Sequence, residues 1–182
     1  MSTSSPDTKF SKNKPNYSKF TQFAKSFISY LVIFVVIYSL VNWWRQPVMP
    51  SAPTLQFHSV QGHSIDVNRL STQKPVLIYF WGTWCSVCRR TSPSVQKIAN
   101  NHNYPVIGVA VSSGENQDIL QYMHKKDLDF ITVNDDSGNI FRQWQGQVTP
   151  SYVILKNGKA VQSFTGIQPG WLLNLRLKIA SF

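Results

Sequence analysis

Residues 76–88 read Val76-Leu77-Ile78-Tyr79-Phe80-Trp81-Gly82-Thr83-Trp84-Cys85-Ser86-Val87-Cys88, and this stretch decides the fold. Its first six residues form a continuous apolar run, the pattern of a strand covered on both faces. Gly82 and Thr83 interrupt the run, and from Cys88 to about Asn101 the chain suits a helix. A buried strand leading straight into a helix is the unit from which α/β sheets are built. Cys85 falls at the helix N-terminus, where unpaired backbone N–H groups and the helix dipole favour an anion. Such placement lowers a thiol pKa from about 8.5, and the thiolate is the attacking species. One helical turn carries Cys88 back beneath Cys85, so the second sulfur can resolve a mixed disulfide formed by the first.

Cys85 and Cys88 are the only cysteines in the 182 residues. A pair so close encloses almost no loop, so cross-linking it stabilises the chain little. Three readings remain: a redox pair, a metal pair and an inert pair. A metal site calls for further soft ligands, and His58, His63, His102 and His124 are scattered without ligand spacing. An inert buried pair sits poorly with the polar neighbours Thr83, Ser86 and Arg89, which predict partial exposure. The redox reading is preferred.

The same α/β rhythm continues in both directions from this stretch. Upstream, Leu55–Ser59 and His63–Val67 predict a hairpin around Gln61-Gly62. Downstream, Val106–Val111 reads as another buried strand. Asn116–Lys126 reads as a helix with Ile119, Leu120 and Met123 on one side. Phe130–Val133 and Ser151–Leu155 extend the sheet, and Asn157-Gly158 is a strong turn into Ala160–Phe164. A helix over Trp171–Ile179 closes the chain.

The N-terminal quarter has a different character. Residues 1–25 are polar and hold Lys9, Lys12, Lys14, Lys19 and Lys25 against Asp7, which is 5 − 1 = +4 of the formal +10. They predict a disordered basic tail. Residues 26–44 carry no formal charge, and as a helix they would extend about 28 Å, close to the ~30 Å hydrocarbon core of a bilayer. Trp43 and Trp44 stand where an interfacial aromatic belt would be, and the preceding lysines predict a cytoplasmic N-terminus. No small-x-small cleavage site follows promptly, so a retained anchor is expected in preference to a cleaved leader. A topology signal also accounts for the lysines better than nucleic-acid binding does. Residues 45–53, with three prolines, predict a stiff linker.

Taken in order, Phe80-Trp81-Gly82-Thr83-Trp84-Cys85-Ser86-Val87-Cys88, Pro93, Val148-Thr149-Pro150 and Lys156-Asn157-Gly158-Lys159 resemble the thioredoxin family. The leading hairpin and the Asp136-Ser137-Gly138 turn before Phe141 are closer to its TlpA/ResA-like, membrane-anchored branch. Within that branch the suppressor-of-copper-sensitivity protein D type is nearest. The resemblance implies a thioredoxin fold over residues 54–182, a central mixed β-sheet flanked by helices, with an N-terminal β-hairpin extension and one transmembrane helix before it. It implies that Cys85 attacks, Cys88 resolves, and a cis Pro150 lies against the disulfide. Trp84 would form part of the docking surface, with Trp81 in the core. Thr149 would face the pair, its hydroxyl able to donate toward a Cys85 thiolate. Two departures stand out: Tyr79 occupies the position where thioredoxin carries a buried Asp, and Ser86 the position where ResA-like proteins place a Glu. Tyr79, with a reference pKa of about 10, is a poor base at neutral pH.

The expected function is a membrane-anchored periplasmic thiol–disulfide oxidoreductase of the bacterial inner membrane, needing no cofactor or metal. Its partners would be disulfide-containing extracytoplasmic proteins and a DsbD-like membrane electron donor. A net oxidant using the same site is the rival within the class. A Cu(I)-binding or chaperone-like module is the rival outside it.

Overall fold

The computed structural model describes residues 17–48, 50 and 55–182, with the side chains of 17–24 and 42 outside that description. Most of the tail expected over 1–25 and part of the linker over 45–53 therefore lie outside the described residues. The chain divides at Leu40/Val41.

The first unit holds most of helix α1 (Tyr17–Trp44), which begins within the segment expected to be a disordered tail. Its described side chains run without a break from Lys25 to Val41, and every one is exposed. Among the described residues no helix is long and apolar enough to cross a membrane. The span expected over 26–44 lies within α1 but includes Asn42, whose side chain is not described.

The second unit is built on a five-stranded sheet of order β5-β4-β3-β6-β7. β3 (Val76–Trp81) is its centre, parallel to β4 (Val106–Val111) and antiparallel to β6 (Ser151–Lys156). All six residues of β3 are buried, as a continuous apolar run requires of a strand with both faces covered. Alternation splits them: Leu77, Tyr79 and Trp81 enter one core, and Val76, Ile78 and Phe80 the other. The first core is closed by α3 (Ser86–Asn100), α4 (Asn116–Lys125) and α6 (Gly170–Ile179), through Val95, Ile119 and Leu173 among others. Gly108 of β4 is required here, because a Cβ would lie 2.6 Å from the Phe130 ring and 2.8 Å from Trp81 Nε1.

The second core is covered by a hairpin of β1 (Gln56–His58) and β2 (Ser64–Asp66), by α2 (Val67–Gln73) and by α5 (Asn139–Gln143). The hairpin turns at Gly62, with φ at 85°. Its turn then reaches the outer edge of β5 (Ile131–Asp135), where Val60 N–H donates to the Thr132 carbonyl at 2.8 Å. That contact shields an otherwise open sheet edge. β7 (Lys159–Thr165) follows β6 across Asn157-Gly158, where both residues have positive φ.

Two elements differ from the sequence reading. The second hairpin arm stops at Asp66, whose carboxylate accepts the Arg69 N–H at 2.9 Å and caps α2. The turn at Asp136-Ser137-Gly138 opens the short helix α5, with Gly138 left-handed at φ 68° and the buried Asp135 carboxylate accepting from Ile140 and Phe141. The linker is also less of a spacer than expected. Pro47 is buried, and Val48 N–H donates to the Trp144 carbonyl at 2.8 Å.

Candidate active site

The sheet ends where the cysteines begin. After Trp81 the chain turns through Gly82-Thr83-Trp84, and Cys85 becomes the N-cap of α3, which begins at Ser86, two residues earlier than the helix start read from the sequence. The turn is pinned to β4: Thr83 N–H donates to Ser113 Oγ at 3.1 Å, and Trp84 Nε1 donates to the Val111 carbonyl at 3.0 Å. Trp84 folds back over Gly82, where a Cβ would lie 2.7 Å from its Nε1. Even so, 59 % of Trp84 is exposed, while Trp81 is wholly buried.

Cys85 and Cys88 form a disulfide, with Cα atoms 5.2 Å apart. Cys85 keeps 5 % exposure and Cys88 1 %, so the pair is less open than its polar neighbours suggest, and Cys85 is the more accessible of the two. The exposed side chains of Trp84, Ser86, Val87 and Arg89 form a rim around it. The Cys85 sulfur accepts the Cys88 N–H at 3.1 Å. A sulfur capping the first turn thus accepts from one of its orphan amides, the placement that favours an anion.

The loop between α5 and β6 completes the site. The Thr149–Pro150 bond is cis, and the Thr149 carbonyl oxygen lies 3.6 Å from Cys85 Sγ. Ser151 Oγ donates to the Val148 carbonyl at 2.6 Å and Gly166 N–H to the Pro150 carbonyl at 2.9 Å, which fix the loop from both ends. Thr149 therefore reaches the sulfur, but through its carbonyl and not through its hydroxyl. A carbonyl oxygen accepts an S–H and repels a thiolate, so it opposes the Cys88 amide. Thr149→Val is accordingly expected to leave the Cys85 pKa unchanged and to move the reduction potential by less than about 10 mV. Equilibration of both forms with glutathione checks this, and a shift of roughly 30 mV or more would restore a role for the hydroxyl.

Beneath Cys88 lies a group of side chains the sequence reading missed in part. Tyr79 reaches from β3 to α3 with its hydroxyl 3.0 Å from Thr91 Oγ1 and 3.0 Å from Ser92 Oγ. Its ring stacks on Tyr152, centroids 5.2 Å apart. Burial pushes the Tyr79 hydroxyl up to about 12 despite the bonds to Ser92 and Thr91, which pull the other way. Burial, followed by the nearby Tyr79, raises Tyr152 as well. The available signal was spacing: Cys88, Thr91 and Ser92 stand at i, i+3 and i+4, on one face of the helix. Among the described residues no three His, Cys, Asp or Glu side chains converge as metal ligands.

Comparison with known proteins agrees with this geometry. The AhpC/TSA family profile matches residues 48–164. A thioredoxin-like protein of Haemophilus influenzae is 38% identical over 165 residues, covering 90% of this chain and 98% of that one. The thiol–disulfide oxidoreductase ResA of Bacillus thuringiensis is 26% identical over 127 residues, covering 68% of this chain and 73% of ResA. Among solved structures, the exposed lipoprotein thioredoxin of Streptococcus pneumoniae superposes with a TM-score of 0.59 at 22% identity, covering 68% of this chain and 97% of that one. At that identity the likeness speaks for the fold alone.

Proposed function

Since the chain belongs to the AhpC/TSA family of thioredoxin-like proteins and is a thiol–disulfide oxidoreductase, we propose that it works as a reductant or exchanger of disulfides in extracytoplasmic proteins. In the reductive direction the Cys85 thiolate attacks one sulfur of a client disulfide. The client S–S bond breaks, a client thiolate leaves, and a mixed disulfide forms at Cys85. Cys88, losing its proton, then attacks Cys85 Sγ and releases the second client thiolate. Two electrons pass from the Cys85–Cys88 dithiol to the client, and the protons shed by the pair balance those the client thiolates take up.

The observation that carries the direction is the pair of groups facing the Cys85 sulfur. One backbone N–H donates to it at 3.1 Å, and one carbonyl oxygen lies 3.6 Å away. Strong oxidants of this kind owe their potential to a heavily stabilised thiolate. Here, among the described residues, a single donor is opposed by an acceptor, which supports a dithiol that gives up electrons readily.

Residues 26–44 are the anchor in this reading. They carry no formal charge, their described side chains are exposed, and Trp43 and Trp44 end the segment. Electrons would be restored by a DsbD-like membrane transporter. Thiol trapping in living cells tests the reading: the pair should rest largely reduced and the full chain should sediment with membranes. A chain begun at Gln46 should be released from the membrane and keep its exchange activity in vitro. A resting state that is largely oxidised would contradict the direction, and a full chain recovered in the soluble fraction would contradict the anchor.

A further inference from the structure

We propose that Tyr79, Thr91 and Ser92 are positioning residues for the thiol pair: the hydroxyls of Thr91 and Ser92 clamp the Cys88 carbonyl, that of Tyr79 ties them to the sheet, and together they hold the Cys88 amide on the Cys85 sulfur. The inference rests on the oxidoreductase site described above and concerns how that site is tuned.

Ser92 Oγ donates to the Cys88 carbonyl at 2.8 Å, and Thr91 Oγ1 donates to it at 3.3 Å in preference to the Val87 carbonyl at 3.5 Å. With those two protons on the carbonyl, the Tyr79 hydroxyl at 3.5 Å is its weakest partner. Tyr79 donates instead to Thr91 or Ser92, each 3.0 Å away. Every hydroxyl then has a partner and the group carries no charge. Thr91 keeps 1 % exposure, Ser92 3 % and Tyr79 none, so water does not compete for these bonds. Bonds enclosed in this way are stronger than their exposed counterparts.

The place in the helix gives the clamp its purpose. Pro93 follows Ser92 directly and has no N–H, so the Arg89 carbonyl loses its helical partner and the ladder is broken one rung beyond Cys88. Regular helix bonding alone therefore holds Cys88 less firmly than an ordinary N3 residue. Tyr79 supplies a tie from outside the helix, because it stands on β3, the central strand of the sheet. Cys88 is thus fixed at its carbonyl by hydroxyls while its own N–H meets Cys85 Sγ at 3.1 Å. A bond from an amide to a thiolate depends on alignment, so loosening Cys88 weakens the interaction that favours the ionised nucleophile.

The neutrality of the clamp has a second consequence. With no carboxylate in the group, the clamp adds no charge of its own beside the pair, and the groups left to titrate there are the two thiols themselves. The test uses the full chain, comparing wild type with Tyr79→Phe and Ser92→Ala. The rate of Cys85 alkylation is followed from pH 5 to 9 on the reduced protein, beside the thermal unfolding midpoint. In Tyr79→Phe the apparent Cys85 pKa should rise and alkylation at pH 7 should slow by about 3- to 10-fold, the loss of part of a charge-assisted bond. Ser92→Ala should behave likewise, and Ser92→Thr, which keeps the hydroxyl, should recover the wild-type profile. If Tyr79→Phe does not fold, the Ser92 pair decides the question alone. A lowered unfolding midpoint with an unchanged pH profile would overturn the proposal, since that is the signature of core packing only.

Discussion

Replacing Cys85 by serine is expected to reduce thiol–disulfide exchange by roughly 10³-fold or more, because the attacking sulfur is gone and the one remaining thiol, Cys88, is buried at 1 % exposure. Cys88→Ser should behave differently. Its Cys85 can still attack, but a serine hydroxyl cannot resolve the product, so mixed disulfides with clients should accumulate. The asymmetry follows from position. Cys85 is the N-cap of α3 and accepts the Cys88 amide, while Cys88 lies within the first turn at 1 % exposure, over the Tyr79 hydroxyl group. A client sulfur approaching along the S–S axis from the exposed rim of Trp84 and Val87 reaches Cys85 first. The double variant should be no worse than Cys85→Ser, since the two residues act as one unit. Stability should change little in any of them, because the disulfide closes a loop of sequence separation 3. Mass spectrometry of trapped complexes reads the outcome, and equal trapping by both single variants would refute the assignment.

Most of the scaffold was legible because its signals are local. Val76–Trp81 and Val106–Val111 are apolar without interruption, and both are buried along their whole length. Asn157-Gly158 announced the β6–β7 hairpin through the positive φ that both residues adopt. The short helices were not legible, since neither carries a helical pattern of its own. α2 depends on the Asp66 cap and on ties to a distant turn: Gly158 N–H donates to Ser71 Oγ at 2.8 Å and Asn157 N–H to the Ser71 carbonyl at 2.9 Å. α5 depends on a carboxylate that belongs to the preceding strand, Asp135. Such bonds join residues whose closeness only the finished fold creates.

The same division runs through the site. The order of Trp84, Cys85, Cys88, Thr149 and Pro150 brought the reactive residues together on paper, and the structure gathers them at the C-terminal end of β3. What the sequence withheld was direction. Thr149 presents its carbonyl to the sulfur, a choice made by the loop backbone between Val148 and Ser151 and not by the identity of the side chain. The hydroxyl group under Cys88 is a contact between β3 and α3, so it depends on the pitch at which the helix lies over the sheet. Tyr79 was visible as the replacement of an acid, and its partners Thr91 and Ser92 became apparent only from that packing.

The poise of the Cys85–Cys88 pair is the claim on which the functional reading turns, and its two-electron reduction potential tests it most directly. Potentials in this class track the stability of the reduced form. A nucleophile held by several donors gives a strong oxidant near −120 mV, and a less favoured thiolate gives a reductant near −270 mV. Among the described residues the sulfur has one amide donor, an opposing carbonyl and a neutral hydroxyl group beneath the pair, while Arg89 and Arg90 are exposed. Equilibration of the purified chain with glutathione buffers and with a thioredoxin of known potential, followed by acid quenching and thiol counting, gives the value. A potential more negative than about −200 mV is expected. A value near −120 mV would contradict the account, because the thiolate would then be stabilised far beyond what these neighbours supply.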